Sequence, residues 1–280
     1  MKKTLALIIA MLLLMPVCLA QTGVYRAVSI GISNYDDGRQ RVGGTNSAQG
    51  VYDAMNRAFG GSSGFISSIY TDVTAQQLFS TLDLCFGGAE AGDVSLIYIS
   101  AHGGMQGGIA WIETKDGGRV TASELEKRLR LIPGKVILLL DACYSGAFTG
   151  SASSFLYEFT GAFGQNSFAS DKYLVMVSCS LEEKSYRVTA DSSGEADVST
   201  VFSRALCEGL GWDLINDRST ALKADANRDR CVTASELLEY VRRRSMFYLS
   251  GNRKYTQTVS AHLSYPNMVL ADRTHREPAP

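Results

Sequence analysis

The chain reads as a three-layer α/β protein, and two features predict it. Several short runs are apolar at nearly every position, above all Leu96-Ile97-Tyr98-Ile99 and Val136-Ile137-Leu138-Leu139-Leu140. A strand apolar on both faces is covered on both faces, which is the situation of a parallel sheet inside a protein. Helical patterns fall between these runs, and such alternation builds a mostly parallel sheet with helices on both sides.

The elements follow in order. Residues 24–32 predict a strand. Val51, Met55 and Phe59 recur at helical spacing and predict a helix over 47–59, closed by Gly60 and Gly61. A short strand is expected over 65–70. A helix follows over 74–86, with Leu78, Leu82, Cys85 and Phe86 on one side and Gly87-Gly88 at its end. The strand 94–100 comes next, then a hairpin of 109–113 and 118–120 around Asp116-Gly117. Thr121 and Glu124 have capping-box spacing and open a helix to Leu131, which Pro133-Gly134 stops. Strands over 135–140 and 173–178 and a helix over 198–210 complete the alternation. The segment 145–171 is rich in Gly, Ser, Ala and Phe without periodicity and reads as a loop.

The first twenty residues have the pattern of an export signal: Lys2 and Lys3, an apolar run to Leu14, then Pro16 and the small-residue site Cys18-Leu19-Ala20. Cleavage after Ala20 is expected, leaving one domain over 21–280 and placing the protein in the cell envelope or outside the cell. An uncleaved anchor and a lipid carried on Cys18 are the alternatives. The apolar run is too short and too soon broken for a comfortable membrane span. A net charge of −1 with no polybasic run argues against nucleic acid or an anionic membrane surface as partner. Beyond Cys18 five cysteines remain (Cys85, Cys143, Cys179, Cys207 and Cys231), so at least one thiol is left over or bonds between molecules.

In an open parallel sheet, ligands sit outside the carboxyl ends of the strands. The strand ending at Ser100 runs into Ala101-His102-Gly103-Gly104, and the strand ending at Leu140 runs into Asp141-Ala142-Cys143-Tyr144-Ser145-Gly146. A histidine and a cysteine thus lie at one edge of the sheet, 41 residues apart in sequence. That is the placement a thiol–imidazole pair needs, the imidazole close enough to take the thiol proton. Gly103 allows close approach of backbone to substrate, and its N–H with that of Cys143 is the expected oxyanion hole. Cys85 and Cys207, on predicted helices, and Cys179, at a strand end, read as core residues. His262 and His275 sit in no comparable context.

These motifs resemble the catalytic dyad of the caspase, metacaspase and clostripain group of cysteine peptidases. The caspase signature Gln-Ala-Cys-x-Gly has its histidine about fifty residues upstream, and here Asp-Ala-Cys-Tyr-Ser-Gly has one at a similar distance. Ser29-Ile30-Gly31-Ile32-Ser33-Asn34-Tyr35 also resembles the first strand of metacaspases and bacterial caspase-like proteins. The resemblance implies a caspase-like fold and a cysteine endopeptidase with His102 as base and Cys143 as nucleophile, with no cofactor needed for catalysis. Asp141 stands where caspases have glutamine. In metacaspases and clostripain-like enzymes an aspartate there receives Lys or Arg, so protein or peptide substrates cut after basic residues are expected. Members of the group often carry a second aspartate in an Asn-Asp-Ala sequence. Here the match is Asn46-Ser47-Ala48, leaving Asp36, Asp37 or Asp53 to substitute. Glu182, Glu183, Asp191, Glu195 and Asp197 read as a solvated acidic loop that also has the reach to wall the pocket. Some members cut themselves, which makes Arg39, Arg41, Lys172, Lys184 and Arg187 candidate sites.

A second constellation spans 225–236. Asp225, Asn227, Asp229, Thr233 and Glu236 fall at EF-hand positions 1, 3, 5, 9 and 12, and Cys231 at the backbone-ligand position 7. Arg230 stands where the sharp turn calls for glycine. Thr233 and Glu236 also have capping-box spacing before a helix over 236–246. Calcium binding and simple capping are the two readings. For the whole chain the alternatives are a catalytically silent, calcium-binding interaction module and a cysteine hydrolase of esters or small amides. The latter normally shows a Gly-x-Cys-x-Gly elbow, which Cys143 lacks.

Overall fold

The structure, a computed structural model, describes residues 23–39, 43–59, 64–107, 109–145, 172–180, 183–188, 199–250 and 255–274. The expected leader with Cys18, Arg41, the segment 146–171 with Gly146, Glu182, Asp191, Glu195, Asp197 and His275 lie outside the described residues.

The strands are β1 (Tyr25–Gly31), β2 (Ile66–Thr71), β3 (Val94–Ser100), β4 (Gly103–Gln106), β5 (Ile109–Glu113), β6 (Arg119–Thr121), β7 (Lys135–Asp141), β8 (Tyr173–Val177), β9 (Trp212–Asp213), β10 (Arg218–Ser219), β11 (Cys231–Thr233), β12 (Ser260–Leu263) and β13 (Val269–Asp272). The helices are α1 (Gly44–Asn56), α2 (Ala75–Phe86), α3 (Ala122–Leu129), α4 (Val201–Gly209) and α5 (Ala234–Leu249). One six-stranded sheet, in the order β12-β8-β7-β3-β1-β2, organises the fold. Every pairing in it is parallel except that of β12 with β8.

The apolar strands divide their side chains between two cores. Val94, Leu96 and Tyr98 of β3, with Ile137 and Leu139 of β7, join the core covered by α1, α4 and α5. The alternate residues Ile97, Ile99, Val136, Leu138 and Leu140 join the core covered by α2 and α3. This is the three-layer α/β arrangement expected from the sequence. Each Leu, Ile or Val taken out of water in these strands contributes about 1.5–3 kcal/mol.

The chain departs from the sequence expectations at element ends and in strands that were not expected, β4 and β9 to β13, of which β12 completes the main sheet. Helix α1 begins at Gly44 rather than 47, because Gly43 turns the chain with φ 94°. Capping boxes close the starts of α2, α3 and α5, each with a threonine at the cap and Gln77, Glu124 or Glu236 reaching back. The hairpin of β5 and β6 carries a third, unexpected antiparallel strand, β4, directly after His102. No helix among the described residues is long and apolar enough to cross a membrane.

Strand order reverses between β1 and β3, since β1 is flanked by β2 on one side and β3 on the other. The carboxyl ends of β1, β3 and β7 therefore open side by side at the switch point, where α/β sheets hold their ligands.

Candidate active site

Strands β3 and β7 pair in register, Ser100 opposite Asp141, and the Ala101 N–H donates to the Asp141 carbonyl at 3.2 Å. The chains beyond these ends stay in contact. A Cβ built on Gly103 falls 2.1 Å from the Cys143 carbonyl oxygen and 3.1 Å from the Ala142 Cβ. Only glycine lets the residue after His102 lie directly against Cys143. Gly103→Ala is therefore expected to push the two loops apart. A displacement of about 1 Å at a reacting pair costs on the order of 10²-fold in rate, and a variant with undiminished Cys143 reactivity toward iodoacetamide would contradict the contact.

His102 is half-buried and held by its backbone from both sides. Its N–H donates to the Tyr35 hydroxyl at 2.8 Å, and its carbonyl accepts the Glu113 N–H at 2.9 Å. The Tyr35 ring lies against the imidazole, centroids 4.8 Å apart. Asp37, whose carboxyl the Arg39 N–H and guanidinium hold below its ordinary range, lies within electrostatic reach of His102.

Cys143 is half-buried, with Sγ 4.0 Å from the Ser185 carbonyl oxygen. The next residue, Tyr144, has φ 59°, so the chain bends sharply after the thiol. Its N–H donates to the Glu183 carbonyl at 2.9 Å. Beneath the bend, the Cys179 thiol lies 3.2 Å from the Ala142 carbonyl and 3.3 Å from that of Glu183, and burial pushes its pKa up to about 11. Burial likewise pushes up Cys207 and Cys85. The thiols read as core residues thus stay protonated at neutral pH, and Cys143, Cys179, Cys85 and Cys207 are all free of disulfides. His262 lies on β12 at the sheet's edge, 3.1 Å from the Ser264 hydroxyl.

Asp141 occupies the α1–α4 side of β7 and is fully buried. Its carboxylate accepts hydrogen bonds from Tyr98 Oη at 3.1 Å, Ser185 Oγ at 2.6 Å and Thr200 Oγ1. Thr200 is the N-cap of α4, so the carboxylate sits at the positive end of that helix. The chain of hydroxyls continues through Ser203 to Ser47, whose Oγ atoms are 2.8 Å apart. Ser47, the middle residue of Asn46-Ser47-Ala48, enters the cluster as a hydroxyl. The expected acidic substitutes are occupied elsewhere: Asp36 pairs with Lys115 at 2.9 Å, Asp37 with Arg39, and Asp53 with Gln49 and Arg57.

Sequence reasoning missed Tyr98, Ser185, Thr200 and Ser203 around Asp141. They come from three separate segments, β3, the loop after β8 and the start of α4, and only the threonine before the amphipathic run of α4 left a local signal, that of a helix cap. Two candidate self-cleavage sites are engaged: the Lys172 ammonium donates to the Arg130 and Ile132 carbonyls just after α3, and Arg39 is bidentate to Glu113 at 2.5 and 3.0 Å. Lys184 is exposed.

In the loop 225–236, Asp225 accepts N–H groups of Asp229 and Arg230 at 3.1 and 3.0 Å, and Asp229 accepts that of Cys231 at 2.8 Å. Asn227 accepts the Asp229 N–H at 2.9 Å. Arg230 takes the left-handed turn, φ 68°, that position 6 requires. Cys231 lies in β11, paired with β13. Glu236 reaches back both to the Thr233 N–H at 2.9 Å and to the Ala226 N–H at 3.3 Å. The capping box is thus formed. Among the described residues no three His, Cys, Asp or Glu side chains converge as a ligand group.

No family model and no curated protein matches the sequence. Solved structures do match in shape. Caspase-1 of Spodoptera frugiperda superposes with a TM-score of 0.62 at 12% identity, over 92% of this chain and 93% of that one. A protein of Geobacter sulfurreducens gives 0.57 at 13% identity, over 86% and 93%. The Drosophila initiator caspase Dronc gives 0.52 at 15% identity, over 90% and 82%. With its six-stranded, mostly parallel sheet and its helices on both faces, this chain has the caspase-like fold.

Proposed function

We infer that the protein is a cysteine endopeptidase in which Cys143 attacks the scissile carbonyl, His102 moves the proton, and Asp141 selects Arg or Lys at the residue cut. The observation that carries this reading is the contact of Gly103 with the Cys143 carbonyl, which brings the histidine and cysteine loops together at the switch point of a caspase-like sheet. The N–H groups of Gly103 and Cys143 are the donors for the oxyanion. The fully buried Asp141 carboxylate, at the N-terminus of α4 and ringed by hydroxyls, favours a cation over an anion. A basic side chain reaches it in exchange for the Ser185 hydroxyl.

The test is hydrolysis of matched peptides ending in Arg, Lys or Asp. Cleavage after Arg or Lys, blocked by a basic electrophilic peptide that labels Cys143, supports the reading. Cleavage after Asp overturns the role of Asp141. Folded protein that neither cleaves nor is labelled returns the silent interaction module; cleavage of simple esters alone points to a different hydrolase.

The loop 225–236 fits calcium in donor chemistry, with Asp225, Asn227, Asp229, Glu236, the Thr233 side chain and the Cys231 carbonyl as ligands. The left-handed turn at Arg230 favours it. A ligand at about 100 times its Kd stabilises a protein by about 2.7 kcal/mol, so calcium is expected to raise Tm by about 5–10 °C. Glu236→Gln keeps the capping box and loses the anion. A calcium shift that survives in that variant, or none in the native protein, sinks the assignment.

A further inference from the structure

We propose that Tyr35 is the positioning residue for His102: one side chain in the turn after β1 fixes both the backbone and the ring of the base. The inference rests on the peptidase reading and deepens it. The Tyr35 hydroxyl accepts the His102 N–H at 2.8 Å, while its ring lies against the imidazole at 4.8 Å with an interplanar angle of 34°. Ring contacts at this separation are attractive whether the imidazole is neutral or charged.

Tyr35 is itself immobilised. It is 5% exposed and belongs to the core that α2 and α3 cover. Its N–H donates to the Arg39 carbonyl at 3.1 Å and its carbonyl accepts from Gly38 at 2.9 Å, which closes the turn after β1. A cycle of contacts then returns to the base. The Arg39 guanidinium lies 5.5 Å from the centre of the Tyr35 ring and is bidentate to Glu113. Glu113 in turn donates its own N–H to the His102 carbonyl at 2.9 Å. His102 is therefore clasped at N–H, carbonyl and ring by two elements that also grip each other through Arg39. Asp37 lies within electrostatic reach of the ring.

A general base works only within hydrogen-bond reach of the proton it takes. His102 lies between the end of β3 and the start of the edge strand β4, and strand pairing holds its backbone but not its ring, so the ring's orientation needs a fixed support. The core packing of Tyr35 supplies that support.

The experiment compares Tyr35→Phe, which keeps ring and packing, with Tyr35→Leu, which removes the ring. Three readouts are taken: peptide hydrolysis, alkylation of Cys143 by iodoacetamide, and the ring-proton NMR resonances of His102. Loss of the hydroxyl is expected to lower kcat about 10-fold and loss of the ring about 100-fold, the scale set by misplacing a reacting group by about 1 Å, with KM within about twofold. Alkylation slows in the same order. The His102 ring protons are expected to be shifted upfield by the adjacent Tyr35 ring, to keep that shift in Tyr35→Phe and to lose it in Tyr35→Leu. Undiminished kcat and alkylation in both variants, or KM rising with kcat unchanged, overturns the proposal. So do His102 resonances that do not respond to loss of the ring. If Tyr35→Leu does not fold, Tyr35→Phe decides through kcat and alkylation. If the native protein hydrolyses no peptide, the peptidase reading fails, and alkylation and resonances still decide whether Tyr35 positions His102.

Discussion

Cys143→Ala is expected to abolish peptide hydrolysis, and His102→Ala to lower it by about 10²–10⁴-fold, the contribution of a positioned acid–base group. The thiolate is the nucleophile, and an ordinary thiol is mostly protonated at neutral pH. In the proposed mechanism, His102 takes the Cys143 proton as sulfur bonds to the carbonyl carbon. It returns that proton to the leaving amine as the C–N bond breaks, and water then hydrolyses the thioester. The two groups act as one device, so the double variant is expected to lose no more than the worse single one. The measurement is kcat/KM on an arginyl or lysyl peptide, with circular dichroism to confirm folding. Hydrolysis that survives Cys143→Ala removes the nucleophile assignment. Additive losses in the double variant separate the two residues and remove the dyad.

Asp141→Asn is the second large effect. Breaking a buried charge pair by neutralising one partner costs about 3–5 kcal/mol, so cleavage after Arg or Lys is expected to fall by roughly 10²–10³-fold. Alkylation of Cys143 by neutral iodoacetamide is expected to stay within about twofold, because the carboxylate points to the α4 side of the sheet and not into the dyad. Stability falls as well. The hydroxyls of Tyr98, Ser185 and Thr200 all donate to this carboxylate, and an amide nitrogen in place of one oxygen faces donors with a donor. An unsatisfied buried polar group costs about 1–3 kcal/mol. A variant equally active on basic peptides would show that Asp141 is a structural acceptor alone. Ser185→Ala separates the two roles: it removes the hydroxyl that competes for Oδ1, and is expected to lower KM for arginyl peptides several-fold if a guanidinium takes its place.

The proposed pair of His102 and Cys143 was legible as a candidate because its signals are local. A fully apolar strand announces a two-sided sheet, and the residue after such a strand stands at the edge where ligands bind; His102 and Cys143 each meet that condition without reference to the other. The helix caps were equally local, each a threonine with Gln or Glu three residues on. Strand β4 was hidden because Gly103-Gly104-Met105-Gln106 has no strand composition and pairs only because β5 lies beside it. The early start of α1 was hidden because Gly43 caps by backbone conformation, φ 94°, and offers no side-chain signal.

The environment of Asp141 is the opposite case. Its donors Tyr98, Ser185 and Thr200 lie 43, 44 and 59 residues away in sequence, and no spacing rule joins a strand tyrosine to a helix cap. That Asp36, Asp37 and Asp53 each meet a cation or amide of their own once the chain has folded was hidden for the same reason. Periodicity and strand-end chemistry, which depend on neighbours within one element, determined the α/β class, the two core faces and the pair His102 and Cys143. Which hydroxyls hold Asp141, and that Tyr35 braces His102, depended on parallel pairing, which sets side by side strand ends that are dozens of residues apart along the chain.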